Sequence, residues 1–115
     1  ELSRIGTSWS SATKALCTEL PRDEWGFTGK IITDGVGPGG SYYMLPDYAI
    51  MAGNDMMLTR ASGDCGYTDT ILKSDAGIRN MQRAAKNILY VALFICLPVR
   101  AWCAPGQPIV TTSGK

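Results

Sequence analysis

The stretch Arg22-Asp-Glu-Trp-Gly-Phe-Thr-Gly-Lys-Ile-Ile-Thr-Asp34 decides how this chain of 115 residues is read. It opens as the polar end of a helix, turns on Gly26 and Gly29, and continues as a β-branched run that stops on a carboxylate. Glycine supplies the backbone freedom of a tight turn. Ile31, Ile32 and Thr33 favour a pleated, buried strand over about 30–33. Asp34 then falls at the strand's C-terminal end, ahead of the loop Gly35-Val-Gly-Pro-Gly-Gly40. Parallel α/β architectures place their chemistry at that end, so Asp34 is a candidate catalytic group.

Outward from this strand the pattern alternates. A helix over 10–20 has Ser10 or Ser11 as N-cap, with Ala12, Ala15, Leu16 and Leu20 at helical spacing. Pro21 is expected to end or kink it, because proline crowds the carbonyl four residues earlier. A second helix over 44–52 has Pro46 near its first turn and Gly53 just past its end. Asp55-Met-Met-Leu58 reads as a short buried strand. Residues 59–76 read as a loop with some helical turn near 69–73. A last helix over 77–95 places Ile78, Met81, Ala85, Ile88, Leu89, Ala92 and Ile95 on one face. Arg79, Gln82, Arg83 and Lys86 take the other, and Pro98 is expected to stop it. Residues 1–97 form the folded segment in this reading and 98–115 a linker or tail. The order helix, strand, helix, strand, loop, helix favours a parallel sheet with crossover helices. Two strands cannot form an independent sheet covered on both faces, so the chain reads as a slice of something larger.

Composition narrows the chemistry. Hydrophobic residues make up 45% and charged residues 18%, which marks a globular chain and not a disordered one. Eleven Lys and Arg against ten Asp and Glu leave a net charge of +1, with no basic run. Nothing electrostatic therefore points to nucleic acid or an anionic membrane. The longest apolar run, 88–97, is short of the roughly 20 residues a bilayer span requires. There is no histidine, which removes Ser-His-Asp and Cys-His systems and the commonest metal ligand. Acid–base chemistry then rests on carboxylates, Lys, Tyr or Cys. Cys17, Cys65, Cys96 and Cys103 contain no C-x-x-C, which argues against a zinc site; no metal or cofactor is implied. Although an even count permits two disulfides, reduced, mostly buried thiols are expected. The chain opens on Glu1 with no charged-then-apolar leader ahead of the fold, so it reads as a fragment and its compartment stays open.

Three motifs in order carry a resemblance: Asp23-Glu-Trp-Gly-Phe-x-Gly-x-Ile-Ile-Thr-Asp34, then Ala49-x-x-Ala-Gly-Asn-Asp55, then Ala84-Ala-Lys-Asn-Ile-Leu-Tyr90. Together with Arg4-Ile-Gly-Thr-x-Trp9, they resemble glycoside hydrolase family 3, the β-glucosidase-like retaining enzymes, over about 3–93. The resemblance implies an α/β fold, the last quarter of a (β/α)8-type barrel, about two βα units and not a complete barrel. It implies that the strands at 31–34 and 55–58 correspond to the seventh and eighth of that barrel. It also implies that Asp34 is the nucleophile and that the substrate is a β-glucoside or related oligosaccharide. The family's acid/base commonly comes from a separate region after the barrel.

A retaining mechanism needs a second carboxyl group about 5–5.5 Å from the first. Asp55, Asp23 and Glu24 belong to the opposite end of the strands from Asp34, roughly 10 Å away at the rise of a β-strand. Asp47 and Asp64 lie in or near the loops at the other end. Asp55 is expected to be a structural hydrogen-bonding residue, and Trp25 and Phe27 to pack in the core. Arg60 reads as a surface arginine. Two other functions stay open. Ser11-Ala-Thr-Lys14 matches S-x-x-K, the nucleophile pair of serine hydrolases acting on esters or lactams. A non-catalytic barrel segment would self-associate through Met51, Met56, Met57, Leu58 and the 88–97 helix, as a homo-oligomer or with the missing remainder of a barrel.

Overall fold

The computed structural model describes residues 3–36, 44–59 and 66–102, with 96–102 as backbone only. Two short strands, β1 (Arg4–Ile5) and β2 (Ser8–Trp9), form an antiparallel hairpin that the sequence reading did not contain. Gly6, at φ 60°, takes the first turn position. The Arg4 guanidinium stacks 4.0 Å from the centre of the Trp9 ring.

The helix expected over 10–20 is instead two pieces. A 3-10 turn spans Ser10–Ala12, Thr13 is extended, and a π-helical segment spans Ala15–Glu24. Pro21 lies inside that segment and does not end it. Proline removes one backbone donor from the ladder, but it does not remove the acceptors that bind the segment's last turn. Trp25 N–H donates to Leu20 O at 3.1 Å and Phe27 N–H to Pro21 O at 2.8 Å. The extension carries Arg22 past the proline and towards the sheet.

Strand β3 (Ile32–Gly35) pairs in parallel with β4 (Met56–Leu58), as the alternating pattern predicts. Between them runs α1 (Pro46–Ala52), with Pro46 at its first turn and Gly53 just beyond its end at φ 121°. The pairing joins Ile32 to Met56 and Gly35 to Leu58, with an irregularity between those pairs. Asp34 therefore sits within the strand, at its third residue, and not after its close. After α2 (Asp69–Leu72) comes α3 (Asp75–Trp102), 28 residues long. Pro98 does not stop α3. A proline costs an established helix about 3 kcal/mol, whereas nucleation, the larger obstacle, lies about six turns earlier.

The helices cover one face of the sheet. Met57 packs against two buried clusters, Val36, Met44 and Ala49 on one side and Ile50, Ile71 and Ala84 on the other. Alternation along a strand sends its neighbours Met56 and Leu58 to the opposite face. Ile32 and Leu58 are 51% and 49% exposed there. Among the described residues the architecture is thus a mixed α/β layer with one open sheet face and no closed barrel.

The packing face of α3 is also rotated from the expected one. Ala84, and not Ala85, is buried, while Ile78, Leu89 and Ile95 are exposed. Arg83 and Asn87 share the inward face because they have polar partners beneath them, and Asn80 braces Arg83 from within the helix. Gly77 lets α3 cross α2 closely, since a Cβ there would meet the Ile71 backbone. Among the described residues no helix is long and apolar enough to cross a membrane.

Candidate functional site

Asp34 lies on β3 with its side chain exposed. Its neighbour Thr33 points the other way and is buried, accepting the Leu58 N–H at 3.0 Å. Adjacent strand residues point to opposite sides, and Asp34, like Ile32, is exposed. Asp34 Oδ1 accepts the Gly35 N–H at 2.7 Å, which orients the carboxylate and favours its ionised form. An exposed, oriented, ionised carboxylate can act as a nucleophile or an electrostatic stabiliser.

Asp55 is the opposite case. Its carboxylate has no solvent exposure. Oδ2 accepts from Arg22 Nη2 at 2.6 Å and from the Ile31 N–H at 2.8 Å. Oδ1 accepts from Asn87 Nδ2 at 2.9 Å, and Arg83 Nε lies 3.8 Å away. The Asp55 N–H returns a bond to Ile31 O at 2.8 Å. The expected structural role of Asp55 is visible here. It is level with Ile31, three residues before Asp34, or about 10 Å along the strand.

The surrounding guanidinium groups bond through their terminal nitrogens, while Arg22 Nε and Arg83 Nε are buried without a hydrogen-bond partner among the described residues. Arg22 Nη1 donates to Gly29 O at 3.0 Å, while Arg83 donates to Ile50 O, Asn54 O and Asn80 Oδ1 at 2.6–3.0 Å. Burial holds the Arg83 guanidinium below its ordinary pKa, and the Asp55 charge opposes that shift. Arg83 was expected on the solvent face of its helix; the buried carboxylate draws it inward. Asn54 is buried as well and donates to Ser11 O at 2.6 Å and Ala49 O at 3.0 Å. Sequence reasoning missed Arg22, Asn54, Arg83 and Asn87 as one network. The available signal was the i, i+4 spacing of Arg83 and Asn87, which puts both on one helix face.

The remaining candidates are dispersed. Asp47 accepts the Thr68 N–H at 3.0 Å and the Thr68 hydroxyl, tying α1 to α2. Ser11 is buried, whereas the Lys14 ammonium is exposed and lies 3.7 Å from Glu19 Oε1, so nothing joins the S-x-x-K pair. Cys17 is buried, its thiol 3.6 Å from the carbonyls of Ser10 and Ser11. Trp25 is 71% exposed and Phe27 44%, which corrects the expectation that they pack in the core. They line an open cleft with Leu16, Pro21 and Ile31 at the N-terminal end of β3. The loop at 37–40, Arg60, Asp64, Cys65 and Cys103 lie outside the described residues, as does the side chain of Cys96. Among the described residues no group of three His, Cys, Asp or Glu side chains could hold a metal ion.

Comparison with known proteins gives one functional pointer. No protein-family model matches the sequence. The chain is 37% identical over 65 residues to β-glucosidase A of Butyrivibrio fibrisolvens, a match that takes in 56% of this chain and 7% of that protein. No solved structure matches. The similarity points to a relationship with glycoside hydrolases, and the chain spans only a small part of that relative's length.

Proposed function

We propose that this chain carries the nucleophile strand of a retaining β-glycosidase of β-glucosidase-like specificity, with Asp34 as the glycosyl nucleophile. On this reading β3, α1, β4 and α3 are about two βα units of a (β/α)8-type barrel, and the open sheet face is the barrel's interior. The observation that supports it best is the similarity to a β-glucosidase in a chain whose β3 carries an exposed carboxylate.

The chemistry follows from the residue type. An Asp34 oxygen attacks the anomeric carbon as the glycosidic oxygen leaves, giving a glycosyl ester and a free aglycone. Water then cleaves the ester and returns the carboxylate. Departure of an ordinary alcohol needs a proton from an acid about 5–5.5 Å away. Asp55 is too far down the strand and too fully bonded to supply it, and Asp47 is held by Thr68.

An activated leaving group removes that requirement, so the test uses 2,4-dinitrophenyl 2-deoxy-2-fluoro-β-glucoside, whose phenolate departs unprotonated. The fluorine slows hydrolysis of the ester, which accumulates. Peptide mass spectrometry should find the sugar on Asp34 and lose it in Asp34→Asn. An unlabelled wild-type chain, or label elsewhere, would sink the proposal.

A second reading is favoured by the exposed apolar side chains of the open sheet face and of α3. Ile32, Leu58, Leu89, Leu93 and Phe94 are about half exposed or more, and apolar surface of that kind drives association. On this reading the chain is a non-catalytic segment that self-associates. Light scattering after size exclusion decides the matter: a concentration-independent monomer would rule it out.

A further inference from the structure

On the reading of Asp34 as nucleophile, we propose that Arg22 and Asp55 are positioning residues: they pin the entry of β3 against β4 and thereby set the register that places Asp34. The geometry is specific to the strand entrance. Asp55 grips Ile31 twice, through its carboxylate to the Ile31 N–H and through its own N–H to Ile31 O, both at 2.8 Å. Arg22 closes the same turn from the other side, with Nη2 on Asp55 at 2.6 Å and Nη1 on Gly29 O at 3.0 Å. Residues 29–31 are thus held at both ends by one buried ion pair.

Register is the property such a clamp controls. Above Ile31 the ladder is thin: β3 has four residues, β4 has three, and the pairing is irregular between Ile32 and Gly35. A short, irregular ladder specifies its own register weakly, and a one-residue slip would turn Asp34 from the open face to the helix-covered one. The clamp lies outside that irregularity and acts on residues covalently continuous with Asp34. The other two partners of Asp55, Arg83 and Asn87, come from α3 and bond nothing on β3. They anchor the carboxylate, while Arg22 transmits it to the strand.

The test compares Arg22→Lys with Asn87→Ala. Lysine keeps the charge but cannot bond Asp55 and Gly29 O together in the planar fork of arginine. Asn87→Ala removes an Asp55 partner that does not touch β3. Amide exchange at Val36, which donates to Leu58 O at 3.0 Å, reads the register without any substrate. Arg22→Lys should speed Val36 exchange about tenfold relative to the α1 amides, and Asn87→Ala should not. With the fluoroglucoside, Arg22→Lys should label Asp34 about 10–100-fold more slowly at unchanged far-ultraviolet circular dichroism, the penalty expected of a nucleophile displaced by about 1 Å.

Equal effects of the two variants on Val36, or none from Arg22→Lys, would overturn the positioning role and reduce the pair to general stability. If wild type takes no label while Arg22→Lys still loosens Val36 selectively, the register device stands and the glycosidase reading falls. If wild type is labelled and Arg22→Lys reacts at the wild-type rate, the glycosidase reading stands and the positioning role falls.

Discussion

Asp34 sits within β3 and Asp55 immediately before its parallel neighbour β4, and their surroundings differ sharply. Asp55 is sealed under α3 with two arginines, an asparagine and a backbone amide. Asp34 faces outward on a strand whose open side carries exposed Ile32 and Leu58. The first carboxylate holds elements together, and the second is left accessible. A carboxylate can be stable in a protein interior only when its charge and lone pairs are matched, whereas a reactive one needs access and orientation. The same residue type serves both ends because the strand's alternation and the helix layer separate them.

That contrast can be broken most forcefully at Asp55. Asp55→Ala leaves Arg22 and Arg83 buried without their counter-charge, and the expected loss is about 3–5 kcal/mol in urea denaturation. A loss below about 1 kcal/mol would mean that the network is not what holds the sheet to α3. Gly53→Ala is expected to cost about 2–3 kcal/mol, because φ 121° strains any residue with a Cβ and the Cys17 carbonyl lies 2.8 Å from where that atom would be. Asn54→Ala leaves the Ser11 carbonyl with only the Cys17 thiol, while Ala49 O keeps the backbone N–H of residue 54, and the expected loss is about 1–2 kcal/mol by the same measurement. Asp34→Asn sharpens the comparison from the other side. It should leave the urea midpoint nearly unchanged, as at an exposed surface, while abolishing the fluoroglucoside label. A large stability change there would place Asp34 among the structural carboxylates.

Much of the fold was legible residue by residue. The β-branched run at 31–33, the pair Pro46 and Gly53 around α1, and the Met56-Met-Leu58 strand all have the expected type and nearly the expected bounds. The misreadings share a cause. Pro21 and Pro98 were taken as stops, yet both lie inside helical segments whose continuation depends on what comes after the proline. Arg83 was taken as solvated because a helical wheel ranks residues by polarity and cannot know that a buried carboxylate awaits one of them. Trp25 and Phe27 read as core because large rings usually find cover, and among the described residues they remain largely exposed.

By itself, the sequence determined local conformation and the parallel order of elements, because propensity, periodicity and turn chemistry act over a few residues. It also placed a carboxylate on strand β3, and the motifs around it pointed to glycosidase chemistry. Only the tertiary structure decided which carboxylate is buried and which exposed. That choice depends on contacts such as Arg22 with Asp55 and Asn87 with Asp55, 33 and 32 residues apart. Burial of charge is settled by which partners converge in space, and no local pattern encodes that convergence.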